Sequence, residues 1–146
     1  MTPSASGSRI AGKLGLTDRV FAGPRSRKLL STVEAGLKRV DDALERELRV
    51  ADSLADATSR YLYEAGGKRV RPMLTLLTAQ LGAGATDDVV TAAQAIEITH
   101  LGSLYHDDVM DDSDRRRGVP SAQTVWGNSV AILTGDLLFA LSLIHI

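Results

Sequence analysis

The chain has 146 residues, with 17 basic and 18 acidic side chains and a net charge of −1. It has no cysteine and three histidines (His100, His106, His145), which excludes disulfide frameworks and thiolate metal sites and argues against a multi-histidine centre. At 44% hydrophobic and 24% charged the composition is that of a soluble globular protein, and the balanced charge makes no case for nucleic acid as a partner.

Residues 1–28 carry Arg9, Lys13, Arg19, Arg25, Arg27 and Lys28 against a single acid, Asp18. No apolar core of a secretory signal is present, and no stretch approaches the roughly 20 apolar residues of a membrane span. The segment reads as an organelle transit peptide or as a flexible basic extension. Its weak amphipathic patterning favours the extension, with cytoplasmic localisation as the expectation. Residues 29–146 form the domain proper.

From residue 29 the pattern is helical. Leu30, Val33, Leu37, Val40, Leu44, Leu48 and Ala51 recur at spacings of 3 and 4, one apolar stripe on an amphipathic helix. A second helix runs to Tyr63 and ends at Ala65-Gly66-Gly67. Arg71-Pro72 restarts a helix, whose Met73, Leu74, Leu76, Leu77 and Leu81 predict burial almost all round. Thr86 is a candidate N-cap, with Asp87 and Asp88 favourable in the first turn. The helix that follows, Asp87 to Met110, is rich in Val, Ile, Ala and Leu and reads as central. Residues 112–121 read as a loop, and helical pattern resumes through Val130 to the end. With no strand alternation, the fold class is all-α.

The chemistry concentrates in His106-Asp107-Asp108-Val109-Met110-Asp111-Asp112. Asp107 and Asp111 share a helix face, about 6 Å apart along the axis. Two carboxylates without thiolate or clustered imidazole make a hard oxygen site suited to Mg²⁺, which leaves its other positions to water and phosphate. Asp108 lies beside the pair, where it can orient ligand waters. Like charges at this spacing, near a helix C-terminus, are unfavourable unless a cation is present. Arg115-Arg116-Arg117-Gly118 follows, and guanidinium forks match phosphate oxygens. Gly66-Gly67-Lys68-Arg69-Val70-Arg71-Pro72 is a second basic loop, at a helix start where backbone N–H groups favour anions. His100, two turns before Asp107, can donate to a phosphate or be a satisfied core residue. Two basic sites around one acidic site, joined by an apolar helix, fit phosphorylated substrates with apolar bodies.

These motifs, in this order, resemble the all-trans polyprenyl diphosphate synthases over most of residues 29–140. Gly66–Pro72 resembles that family's first substrate loop, Asp107-Asp108-Val109-Met110-Asp111 its first DDxxD motif, Arg116-Arg117-Gly118 the following arginine pair, and Ser129–Ala140 its next helix. The resemblance implies the N-terminal part of an isoprenoid-synthase helical bundle. It also implies condensation of isopentenyl diphosphate with an allylic diphosphate, with Mg²⁺ as cofactor. By position, Asp107 and Asp111 hold the metal with Asp108 in support, and Arg116 grips the allylic diphosphate. Lys68, Arg71, His100 and Arg117 grip isopentenyl diphosphate. The small residues Gly102 and Ser103, where the family sets product length, imply a long-chain product that Gly102→Phe would shorten. A homodimer and peripheral membrane contact for product release come with the same analogy.

The family's second aspartate-rich motif does not follow Asp136 in these residues. The apolar ending Leu141-Ser142-Leu143-Ile144-His145-Ile146 departs from the family pattern near residue 140. The expectation is therefore an N-terminal portion of a synthase, inactive alone and poorly soluble. A non-catalytic partner subunit of a heteromeric synthase is the alternative, disfavoured by the full set of acids and arginines. A terpene cyclase is disfavoured by the Lys68/Arg71 loop.

Overall fold

The structure is a computed structural model that describes residues 23–145. Within these residues the order is α1 (Pro24–Glu47), α2 (Ser53–Glu64), α3 (Val70–Ala79), α4 (Asp87–Met110), β1 (Arg115–Arg116), β2 (Val119–Pro120), α5 (Ala122–Trp126) and α6 (Asn128–Ile144). The all-α class holds, with one short hairpin inside the expected 112–121 loop. Helix α1 begins at Pro24, inside the 1–28 bounds assigned to the extension. Gly23 offers its carbonyl to the Arg27 amide at 3.0 Å, and proline at the first helical position loses nothing by lacking an N–H. Residues 1–22 lie outside the described residues.

The chain divides into two compact units: residues up to Val40 with Lys68–Ala93, and Asp41–Gly67 with the residues from Gln94 onward. In the first unit Leu30, Val33, Leu37 and Val40 are buried, as their spacing predicts. Gly36 lets α1 close on α3, since a Cβ there would lie 2.8 Å from a Leu76 methyl. Met73 and Leu76 are buried on that face of α3, whereas Leu74 is 50% and Leu81 91% exposed. The expectation that α3 is covered all round is thus corrected: one face packs and the others stay open. Arg39 donates to the Ala85 carbonyl at 2.8 Å and pairs with Asp87. Thr86 caps α4 as predicted, its Oγ1 accepting from the Val89 amide at 3.3 Å.

In the second unit the α1 stripe continues through the buried Leu44 and Leu48, but Ala51 is exposed because the helix has ended at Glu47. Asp52 caps α2, accepting from the Ala55 amide at 2.9 Å. Ser59 ties α2 back to the buried Leu48 carbonyl at 2.8 Å. Helix α6 packs against α2 and α5. An open apolar groove between α2 and α6 is lined by Leu54, Ala55, Val130, Leu133 and Leu137.

Tyr105, on α4, is fully buried and meets α2 at one rung of its ladder. Its hydroxyl donates to the Thr58 carbonyl and accepts from the Leu62 amide at 3.3 Å. Burial raises the phenol well above its ordinary pKa, against the bond from Leu62. The sign follows for an acid whose folded pKa is raised. Its stabilisation is complete below about pH 10, the unfolded value, and is lost as pH rises through the folded value. Tyr105→Phe is expected to cost about 1–2 kcal/mol in urea denaturation at neutral pH. It should also flatten the loss of stability above about pH 10.

Candidate substrate and metal site

The acidic motif sits where α4 stops. Asp112 adopts a left-handed backbone, φ +50°. The Ser113 amide donates to the Asp108 carbonyl at 2.9 Å and the Asp112 amide to that of Val109 at 3.4 Å. This is the Schellman closure, with Asp in the place glycine usually takes. It leaves Asp107 half-buried and Asp111 exposed one turn apart, the Asp111 amide donating to the Asp107 carbonyl at 2.8 Å. Both carboxylates belong to the outward side of the terminus.

Asp108 does not join them. It is 1% exposed, and Arg116 donates to its Oδ1 from Nε at 2.7 Å and from Nη2 at 2.5 Å. Its Oδ2 is buried without a hydrogen-bond partner. The carboxylate thus faces inward and holds an arginine. The bond to Asp108 is the main cause that raises the Arg116 pKa; burial opposes it, and the charges of Asp108, Asp107 and Asp111 add to it.

The hairpin pairs Arg115 with Pro120 and Arg116 with Val119, leaving Arg117-Gly118 as a two-residue turn. Both turn residues have positive φ, +53° and +84°, the type I′ pattern that fits the strand twist. Tyr61 secures the hairpin to α2, donating to the Pro120 carbonyl at 2.9 Å and meeting Trp126 edge-on with centroids 4.9 Å apart. Arg117 Nη1 donates to the Leu62 carbonyl at 2.6 Å and to that of Gly66. Resemblance placed Arg117 on a diphosphate; the structure places this edge of its guanidinium on backbone carbonyls.

The remaining expected residues separate. His100 and Ser103 are half-buried on α4, the Ser103 hydroxyl donating back to the His100 carbonyl at 2.8 Å. Lys68 and Arg71 belong to the other unit, where both are exposed. Arg69, with φ +51°, opens α3 without a side-chain cap, so the helix start keeps backbone N–H groups for an anion. Gly102 is buried, and a Cβ there would lie 3.1 Å from the Gly135 carbonyl and 3.3 Å from Leu138 Cβ. Its smallness serves the crossing of α4 and α6.

The sequence alone assigned His106 and Gly135 no packing role. The imidazole Nε2 lies 3.1 Å from the Ile132 carbonyl and 3.3 Å from Asp136, and its ring packs against Phe139. A Cβ on Gly135 would lie only 2.3 Å from that nitrogen. A glycine inside an apolar helical run is the signal that marks such an approach.

A family model described as polyprenyl synthetase matches residues 52–146. The chain belongs to the polyprenyl synthetase family. It is 48% identical to a nonaprenyl diphosphate synthase of Mycobacterium tuberculosis, over 90% of this chain and 37% of that protein. It is 39% identical to heptaprenyl diphosphate synthase component 2 of Geobacillus stearothermophilus, over 80% of this chain and 37% of that one. A solved polyprenyl synthase from Caulobacter crescentus, complexed with calcium and isoprenyl diphosphate, superposes with a TM-score of 0.76 at 30% identity. That match covers 99% of this chain and 38% of the other. The chain thus spans about a third of the length of the curated relatives it matches.

Three outcomes are expected. Gly102→Phe lowers helical circular dichroism, because its ring has no room between α4 and α6. Arg116→Ala strands the buried Asp108 carboxylate and costs about 3–5 kcal/mol in chemical denaturation. Asp111→Ala, at an exposed helix C-terminus, is neutral or slightly stabilising.

Proposed function

We propose that these residues supply the first substrate loop and the metal-binding helix of a long-chain prenyltransferase. That enzyme condenses isopentenyl diphosphate with an allylic diphosphate. The observation that carries this reading is the outward Asp107/Asp111 pair, beside an arginine that the inward Asp108 orients. Among the described residues no three acid or histidine side chains cluster as a metal cage. Mg²⁺ needs no such cage: one or two carboxylates suffice when substrate phosphates complete its shell. The residues present therefore fit it. When bound, Mg²⁺ neutralises negative charge developing on the departing diphosphate.

The protein's own groups do the rest. Asp107 and Asp111 hold the divalent ion. Arg116, its fork fixed by Asp108, faces the allylic diphosphate, where a preoriented donor costs no reorganisation. Lys68 and Arg71, at the exposed start of α3, grip the isopentenyl diphosphate. His100 on α4 serves as a diphosphate donor. Gly102 and Ser103, both small, are the residues that influence product length.

A second reading, a subunit working within a heteromeric synthase, is favoured by the relative named as component 2 of a heptaprenyl diphosphate synthase. Among the described residues no helix is long and apolar enough to cross a membrane. Peripheral contact during product release remains part of the proposal, as do the homodimer and the cytoplasmic location.

Titration calorimetry of the chain with farnesyl diphosphate and Mg²⁺ tests the reading. Binding that needs both components is expected, at least about tenfold weaker in Asp107→Ala and Asp111→Ala (a loss of about 1.4 kcal/mol). Metal-independent binding, unmoved by either change, would sink it. Labelled isopentenyl diphosphate should not be incorporated by the 146-residue chain alone, which carries one aspartate-rich motif.

A further inference from the structure

Helix α2 ends in a way that leaves one carbonyl over. The Ala65 amide returns to the Tyr61 carbonyl at 3.0 Å and the Gly66 amide to that of Tyr63 at 3.1 Å. Neither bond uses the carbonyl of Leu62, a residue that is wholly buried. A buried carbonyl skipped by its own ladder needs another donor. Arg117 Nη1 supplies it at 2.6 Å and reaches the Gly66 carbonyl as well. Gly66 itself has φ +93°, a backbone state closed to ordinary side chains.

The donor stands at a costly position. Arg117 is the first residue of a type I′ turn, where asparagine or glycine is preferred because φ is positive. An arginine there loses backbone energy that its side-chain bonds offset. Its cationic group also complements the negative end of the α2 dipole.

We propose that Arg117 is a positioning residue that caps α2 and fixes the turn from which the Gly66-Gly67-Lys68 loop departs. The clamp itself stands on these bonds alone. Its bearing on substrate rests on the proposed role of Lys68 and Arg71. Adjacent arginines then divide the work: Arg116 is aimed by a carboxylate, and Arg117 holds the path of the chain toward the second basic loop.

The test uses Arg117→Asn, which suits the turn better than arginine and so keeps the hairpin while removing the clamp. Hydrogen exchange of the whole chain should show the Ala65 and Gly66 amides exchanging at least tenfold faster. Hairpin and α4 amides should stay within twofold of wild type. Arg117→Lys, which keeps a cationic donor of similar reach, should restore most of the protection. Unchanged exchange at Ala65 and Gly66 in Arg117→Asn would overturn the proposal. So would uniform acceleration across α4, or failure of lysine to rescue. Lys68→Ala separates the two readings. It should weaken binding of inorganic pyrophosphate in the presence of Mg²⁺ while leaving exchange at Ala65 and Gly66 unaltered. If pyrophosphate binding does not change, the substrate reading fails and the clamp stands.

Discussion

Much of the second unit's local geometry follows from one constraint, a carboxylate carried into the interior. Asp108 is buried in the last turn of α4, and an unpaired charge there would be prohibitive. The cation that meets it is only eight residues further on, so the chain must reverse between them. The left-handed Asp112 and its two closing bonds stop the helix at once, and the hairpin brings Arg116 back onto Oδ1. The same rotation that turns Asp108 inward leaves Asp107 and Asp111 outside. A pair of like charges is thereby exposed at the unfavourable end of a helix dipole, which is the electrostatic condition that a divalent cation relieves.

Helix α2 is the second fixed point. It receives Tyr105 at the Thr58–Leu62 rung, Arg117 at the Leu62 and Gly66 carbonyls, and Tyr61 reaches from it to the hairpin. Each contact is a side chain satisfying a backbone group, so α2, α4 and the hairpin are held by directional bonds rather than by apolar contact alone. On the other side of α4, Gly102 and Gly135 permit an approach close enough for His106 to reach the Ile132 carbonyl. The acids and arginines of the second unit therefore sit on elements braced by directional bonds.

What was legible in the residues was mostly periodic or local. The stripe from Leu30 to Leu48, the Thr86 cap and the bounds of α4 at Asp87 and Met110 all follow from spacing and capping chemistry. The acid pair Asp107/Asp111 was legible too, because a four-residue step needs only helical geometry. The inward turn of Asp108 was not. A helix wheel separates it from Asp107, but which side is interior depends on what packs there. The hairpin escaped because strands of two residues show no alternation, and its type I′ turn is built from Arg-Gly rather than Asn-Gly. Gly102 was read as space for a product, and its smallness alone did not reveal that the close α6 backbone needs it as well.

The arrangement also explains why three consecutive arginines are not interchangeable. Arg116 is neutralised by Asp108, so its value to a ligand lies in orientation more than in net charge. Arg117 bonds through Nη1 to the Leu62 and Gly66 carbonyls, so that edge of its guanidinium serves the backbone. Arg115 donates to the Gly118 carbonyl at 2.6 Å within the turn itself, where it steadies the hairpin. With Asp108 and Arg116 cancelling, Asp107, Asp111, Asp112 and Asp114 stand against Arg115 and Arg117, so negative charge dominates around the motif. That excess collects at the C-terminal end of α4, where the helix dipole adds to it, so the field there favours a cation, and an anion gains from it only when it arrives with one.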